Sequence, residues 1–215
     1  MKIYNPRSLT ANENDDVSIC MVSQGVSPHQ MPFACRVVKS VGTESFRYIS
    51  VITKDPERLA LGWGQPNYTW IKEPLNYSGH KEDAQKWQRE ADVLFTTVRD
   101  IELFMERNTL RKFTMYASER WFKPDVGKLR LLWPSYCIMA LRFRKVMQSS
   151  YMYYLPIGPH AADDLKLLEP FGNSMRRWGY FVEPSTEKYE LMRQLDVGLV
   201  HNVSKKDFTV LWVGR

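Results

Sequence analysis

Residues 78–107 read SGHKEDAQKWQREADVLFTTVRDIELFMER and carry a regular apolar pattern. Apolar side chains recur at alternating steps of three and four residues, at Ala84, Trp87, Ala91, Leu94, Val98, Ile101 and Met105. That spacing places them on one side of an α-helix. Ser78 is a suitable N-cap, because its hydroxyl can accept a hydrogen bond from a free amide of the first turn. The pattern predicts one long central helix over about 79–107.

The apolar side of this helix has two interpretations. It is either a coiled-coil seam that binds a partner or the buried side of a core helix in one domain. We favour the core helix, because coiled coils are sustained over more than about three heptads.

Strands are predicted on both sides of the central helix, mostly as hairpins. Residues 33–41 and 44–53 are rich in β-branched and aromatic residues and flank the turn Gly42-Thr43. Near the end of the chain, residues 197–203 and 208–213 alternate between apolar and polar. The predicted fold is therefore α+β, with an antiparallel sheet of hairpins packed on the long central helix.

The segment 136–147 fits two kinds of structure. With a period of two, Arg142 and Arg144 lie on the same side of a strand, whereas a period of 3.6 aligns Tyr136, Met139 and Phe143 on a helix. We favour the strand, because β-branched and aromatic residues flank the segment.

Two regions are predicted from composition along the chain. Residues 1–30 are polar and predict an irregular N-terminal arm, which either frays or exchanges between subunits. Residues 31–215 contain no repeat or obvious linker and predict a single α+β domain.

The composition is that of a globular protein in a reducing compartment. Hydrophobic residues make up 44% of the chain and charged residues 25%. The three cysteines are far apart in sequence, which argues against a disulfide framework and a cysteine-based zinc site. The opening residues have no apolar run behind Lys2, and no stretch approaches the roughly 18 apolar residues that span a bilayer. We expect an intracellular protein of the cytoplasm or nucleus, without a transmembrane segment.

The sequence contains no recognisable cofactor or metal motif. The four histidines are scattered, and P-loop, G-x-S-x-G and kinase patterns are missing, so no cofactor and no metal are expected. His160, Asp163 and Asp164 form the tightest cluster of an imidazole and carboxylates, which makes an enzyme an alternative. Acidic residues at the start of a helix explain the same cluster without catalysis, and we favour that interpretation.

Positive charge is concentrated in one continuous stretch of the chain. The net charge is +6, and residues 107–145 contain ten Lys or Arg against two acidic residues. Cations bind phosphates and aromatic rings stack on unpaired bases, so this segment predicts binding of single-stranded nucleic acid or another polyanion without catalysis. The predicted binding residues are Arg111, Lys112, Arg120, Trp121, Lys123, Lys128, Arg130, Arg142, Arg144 and Lys145, extended by Arg176 and Arg177.

Other partners would meet the same charges. An anionic membrane surface is one, through peripheral contact, and the acidic stretch of a second copy is another. The polar arm, the many Trp and Tyr residues and the apolar seam also suit a self-assembling structural protein, such as a viral matrix- or capsid-associated subunit that forms homo-oligomers.

Overall fold

The computed structural model describes residues 17–52, 56–60, 68–72, 78–121, 127–166, 175–176 and 178–179. The chain divides into two compact units, 1–181 and 182–215, and every described residue belongs to the first. The predicted C-terminal hairpin of residues 197–213 lies outside the described residues.

Strands and helices alternate along the first unit. The strands are β1 (Ile19–Ser23), β2 (Phe46–Ser50), β3 (Ile71–Lys72), β4 (Val93–Thr96), β5 (Phe113–Ser118) and β6 (Met152–Pro156). The helices are α1 (Met31–Val41), α2 (Pro56–Ala60), α3 (Ser78–Glu90), α4 (Ile101–Thr109), α5 (Pro134–Met147) and α6 (Pro159–Lys166), with a 3₁₀ helix at Gly127–Leu132.

The six strands form one sheet in the order β3-β2-β1-β4-β5-β6, and every described pair is parallel. Side chains alternate between its two sides. In β1, Met21 faces the core beneath α1, whereas Cys20 and Val22 face α3. Further along the sheet, Phe143 of α5 packs in the core cluster that contains Tyr154 of β6. The architecture is therefore three-layered α/β.

The predicted antiparallel α+β fold is wrong. A parallel pair needs a long crossover, usually a helix, whereas a hairpin needs only a short turn. In the segment predicted as the first hairpin, residues 33–41 lie in α1 and only the second half contains a strand, β2. Pro32 in the first turn and Gly42, at φ 84° just past the end, set the limits of this helix.

The predicted central helix is also wrong. Residues 78–107 form α3, then β4, then the greater part of α4. Leu94 and Phe95 are buried between two helical layers and Val93 is partly buried, so the strand is a continuous apolar run that also satisfies a helical period. Asp100 then starts α4 as its N-cap, accepting a hydrogen bond of 3.0 Å from the Leu103 amide.

Two smaller predictions change in the same way. Segment 136–147 lies in α5, so the helical period was the correct one. Residues 19–23, predicted as part of the irregular arm, form β1 in the middle of the sheet. Residues 1–16 of the arm lie outside the described residues.

A buried arginine links three elements. Arg107 of α4 is fully buried, and its guanidinium donates to the carbonyl oxygens of Gln88 and Arg89 at 2.9 Å. It also donates to the Phe113 carbonyl at 2.6 Å and to the Thr114 hydroxyl at 2.9 Å. The first two oxygens belong to the last turn of α3, where a positive charge is favoured by the helix dipole.

We expect Arg107→Met to lower the free energy of unfolding by about 3–5 kcal/mol, because buried carbonyls lose charged donors. Urea denaturation followed by circular dichroism measures this loss. Lys145→Met, at an exposed position, is the control and should change stability by about 0.5 kcal/mol or less. A loss below about 1 kcal/mol for Arg107→Met would contradict the assigned role.

Cys20 provides a chemical check of the central strand. Burial raises the pKa of its thiol to about 12, although nearby Arg107 acts in the opposite direction. Iodoacetamide at pH 8 should therefore alkylate the partly exposed Cys35 and Cys137 at least about 100-fold faster than Cys20. Mass spectrometry of tryptic peptides measures the rates. If Cys20 were labelled as fast as Cys35 and Cys137 in the native protein, it would lie in a loose arm and not in β1.

Candidate ligand site at the carboxyl edge of the sheet

The strand order reverses between β1 and β4, which are neighbours in the middle of the sheet. The chain leaves β1 towards α1 on one side of the sheet and leaves β4 towards α4 on the other. The loops after these strands therefore diverge and leave a crevice at their carboxyl ends. Ligands of open parallel α/β sheets bind at this kind of position.

Four neighbouring strands end in a hydroxyl residue at this edge. In sheet order they are Ser50 of β2, Ser23 of β1, Thr96 of β4 and Ser118 of β5. Ser23 and Ser50 are register partners, and each hydroxyl donates to the carbonyl oxygen two residues further on, at 2.7 and 2.8 Å. Thr96 bonds Val98 in the same way at 3.1 Å. The hydroxyls therefore turn the chain sharply out of the sheet.

This row was missed by the sequence analysis, although the sequence contains it. A short apolar run followed by Ser or Thr recurs at Met21-Val-Ser, Tyr48-Ile-Ser, Leu94-Phe-Thr and Tyr116-Ala-Ser. In the structure these four runs end parallel strands at one edge of the sheet.

A buried hydrogen-bond network joins the ends of β1 and β2 to the start of α1. The Tyr48 hydroxyl lies 2.9 Å from the Ser23 hydroxyl and donates to the Gln30 side-chain oxygen at 2.5 Å. Gln30 is the residue before α1, so this network fixes the loop 24–30 over the sheet. Its amide group is thereby held at the mouth of the crevice.

A narrow cleft opens beside this loop. It is lined by Met21, His29, Gln30, Phe33, Phe95, Thr97, Ile157, Trp178 and Gly179. Phe33, Phe95 and Trp178 contact one another with ring centroids 5.1–5.3 Å apart, and Phe33 meets Trp178 edge to face. The walls are thus aromatic, while His29, Gln30 and Thr97 supply polar groups. The enclosed space of the cleft is about 10 Å³, room for about one water molecule, so a larger ligand has to lie across its open mouth.

Cations lie along the same edge. The Arg99 guanidinium, two residues beyond Thr97, stacks 4.9 Å from the ring centroid of Trp121. Arg120, just beyond β5, pairs with the buried Asp164 at 3.3 Å through two of its nitrogens. Arg99 is exposed, and its stacking on Trp121 places its guanidinium on the side of the sheet that carries α4 and α5.

A larger and more open groove lies elsewhere, beside α3. Ser18, Asp83, Lys86, Trp87 and Glu90 line it. It lies near the amino end of β1, away from the point where the strand order reverses, and its charges are of both signs. The carboxyl-edge cleft is therefore the stronger candidate.

The predicted basic segment is partly used for internal contacts. Lys112 pairs with Asp92 at 2.5 Å, Arg120 pairs with Asp164, and Arg142 pairs with Glu102. Trp121 is 5% exposed and packs at 4.6 Å from Phe143, so its ring has no face open to a base.

The remaining predicted residues are spread over different parts of the surface. Arg144 and Lys145 are exposed on α5, Arg111 follows α4, and Arg176 lies beside the end of β6 with its guanidinium 6.0 Å from the Tyr153 ring centroid. Lys128 and Arg130 belong to the 3₁₀ helix, although their side chains are outside the described part. Lys123 and Arg177 lie outside the described residues.

The predicted catalytic cluster does not converge. His160 and Asp163 of α6 are exposed, whereas Asp164 is 3% exposed and pairs with Arg120. Across the described residues, no group of three His, Cys, Asp or Glu side chains is placed to hold a metal ion.

Burial also changes the pKa of Tyr154, in the middle of β6. The Tyr154 hydroxyl lies 3.0 Å from the Ser118 hydroxyl, and burial raises its pKa above the usual value. This phenol therefore stays neutral at physiological pH and bonds the last residue of β5.

Within the described ranges, no helix is both long enough and apolar enough to cross a membrane. No protein-family model matches the chain, and neither a curated protein nor a solved structure matches it significantly.

Proposed function

We propose that the protein binds a small ligand of the nucleoside or nucleotide type across the mouth of the cleft at the carboxyl edge of its sheet. The observation that carries this proposal is the reversal of strand order between β1 and β4, with the cleft directly beside it. The side chains at the cleft define the class of ligand.

The aromatic walls favour a planar ring. Phe33 and Trp178 offer ring surfaces, while the Gln30 amide and the Thr97 hydroxyl are suited to hydrogen bonds with a base or a ribose. Arg99 follows β4 at the same edge, with its guanidinium over Trp121 on the α4–α5 side, and it is the proposed partner for a phosphate group that extends over the edge. A ring, a sugar and a phosphate together describe a nucleotide.

The loop after β1 departs from the usual dinucleotide pattern. It contains a single glycine, Gly25, and Pro32 removes one amide from the first turn of α1. A pyrophosphate normally lies against a glycine-rich loop and the free amides of the following helix. We infer that the base and sugar contribute most of the affinity here and that phosphate adds to it through Arg99.

Calorimetric titration with adenosine, guanosine, ATP, GTP and NAD tests the proposal. We expect binding of at least one nucleoside, and Trp178→Leu should weaken it about tenfold or more, because stacking on an aromatic ring contributes about 1–3 kcal/mol per base. Arg99→Gln should weaken the triphosphate about tenfold and leave the nucleoside unchanged.

Arg111→Gln is the matched control, since this exposed arginine lies just before the amino end of β5. It should bind both ligands like the original protein. Failure of all five probes at millimolar concentration would contradict the proposal, as would equal losses in the Arg99 and Arg111 variants.

Binding of single-stranded nucleic acid by the basic segment remains a second proposal. The exposed Arg144 and Lys145 on α5 favour it. The buried Trp121 and the carboxylates next to Lys112, Arg120 and Arg142 weaken it. Self-assembly as a structural subunit likewise remains a prediction.

A further inference from the structure

The outer surface of α5 and the preceding 3₁₀ helix is unusually apolar. Leu129 is 65% exposed, Leu132 76%, Trp133 57%, Ile138 59% and Leu141 62%. Isolated exposed apolar residues are ordinary, but a run of five within a short segment marks an interaction surface.

The geometry of α5 explains why these side chains face outward. The helix buries Ala140, Phe143, Val146 and Met147 against the sheet and α4. Ile138 and Leu141 are three residues apart on the opposite side of the helix, and Lys145 follows Leu141 by four. Ile138, Leu141 and Lys145 therefore form one stripe along the outer side of α5.

The 3₁₀ helix extends the stripe. Leu129 and Leu132 are three residues apart, which places them on the same side of a helix with three residues per turn. The 3₁₀ helix contacts α5, and Trp133 lies at the junction as the N-cap of α5.

The charge of this region is of one sign. Residues 127–147 contain five Lys or Arg and no Asp or Glu. Arg144 and Lys145 are exposed beside Leu141 on α5. The segment thus combines protruding aliphatic side chains, a tryptophan and cations, without a carboxylate of its own.

We propose that this surface, formed by Leu129, Leu132, Trp133, Ile138, Leu141, Arg144 and Lys145 and called the α5 surface, docks the protein peripherally on an anionic lipid bilayer. Helical segments bind in the interface when apolar side chains enter the acyl boundary and cations meet anionic headgroups. Trp is favoured at the same depth. The inference does not depend on the nucleotide site.

The apolar residues distinguish a bilayer from a nucleic acid. Phosphate contacts use cations and leave exposed leucines without a partner, whereas a bilayer gains from both components. The charge distinguishes a bilayer from a neutral apolar partner, because a neutral partner would offer no opposite charge to the exposed Arg144 and Lys145.

Sedimentation of the full chain with vesicles tests the proposal. We expect binding to phosphatidylcholine vesicles with 30% phosphatidylserine to be at least about 30-fold tighter than to pure phosphatidylcholine, and to weaken as salt is raised. Binding of equal strength to both vesicles, or to neither, would overturn it.

Paired variants separate the two components. Leu132→Ser with Leu141→Ser should weaken binding to the anionic vesicles at least about tenfold. Ile52→Ser, at a position that is 47% exposed outside the α5 surface, is the matched control and should bind normally. Arg144→Gln with Lys145→Gln should weaken binding about 30-fold, whereas Lys81→Gln with Lys86→Gln on α3 should have little effect.

Cys137 is a native reporter beside Ile138. An environment-sensitive fluorophore on Cys137, in a Cys35→Ser background, should shift to the blue on anionic vesicles. The same label on Cys35, in a Cys137→Ser background, should not shift, because Cys35 lies on α1 on the other side of the sheet. Equal shifts at both sites would overturn the proposed orientation.

Competing partners give different results. A single-stranded oligonucleotide that binds tightly and loses no affinity in the leucine variant would assign the cations to nucleic acid instead. A dimer in light scattering that the leucine variant converts to a monomer, with vesicle binding unchanged, would assign the surface to a second copy. Either result overturns the bilayer proposal.

Discussion

Burial of the Arg107 guanidinium is the constraint on which the packing of α3, α4 and β5 depends. Its four hydrogen bonds reach the last turn of α3 and the first residues of β5, while its own backbone belongs to α4. A buried cation is tolerated only when its donors are satisfied, so these three elements must be placed together. Burial lowers the pKa of Arg107 to about 10, which still leaves it charged at neutral pH. The arginine therefore fixes the helix that precedes β4 in the chain and the helix that follows it.

The same region shows what sequence periodicity can and cannot decide. Residues 78–90 and 101–107 are helical as predicted, because apolar residues recur there at helical spacing. Leu94 and Val98 continue that spacing across β4, so the period alone does not reveal the strand. Pairing of β4 with β1 and β5 decides the matter, and these partners are distant in sequence. The hydroxyl residues that end four strands are visible in the sequence, but that these strands are parallel and end at one edge is shown only by the fold.

The charges illustrate a second limit. The concentration of Lys and Arg in residues 107–145 is visible in the sequence, but their partners are not. Lys112, Arg120 and Arg142 pair with carboxylates 20 to 44 residues away, so only the fold shows that these charges are matched. Exposed ion pairs contribute little to stability, yet they reduce the charge that a phosphate chain would meet. The sequence alone therefore shows more positive charge in this segment than the ion pairs leave exposed. The aromatic cleft has the same limit, because Trp178 lies far along the chain from Phe33.

The two proposed surfaces are compatible within one fold. A crossover helix runs antiparallel to its strands, so α5 starts near the carboxyl edge of the sheet and ends near the amino edge. A bilayer against its outer side would cover the layer formed by α4 and α5, while the cleft opens on the α1 side. The strands would then lie roughly along the membrane plane, with their carboxyl edge facing sideways. A ligand would then have access to the mouth of the cleft while the α5 surface remained in contact with lipid.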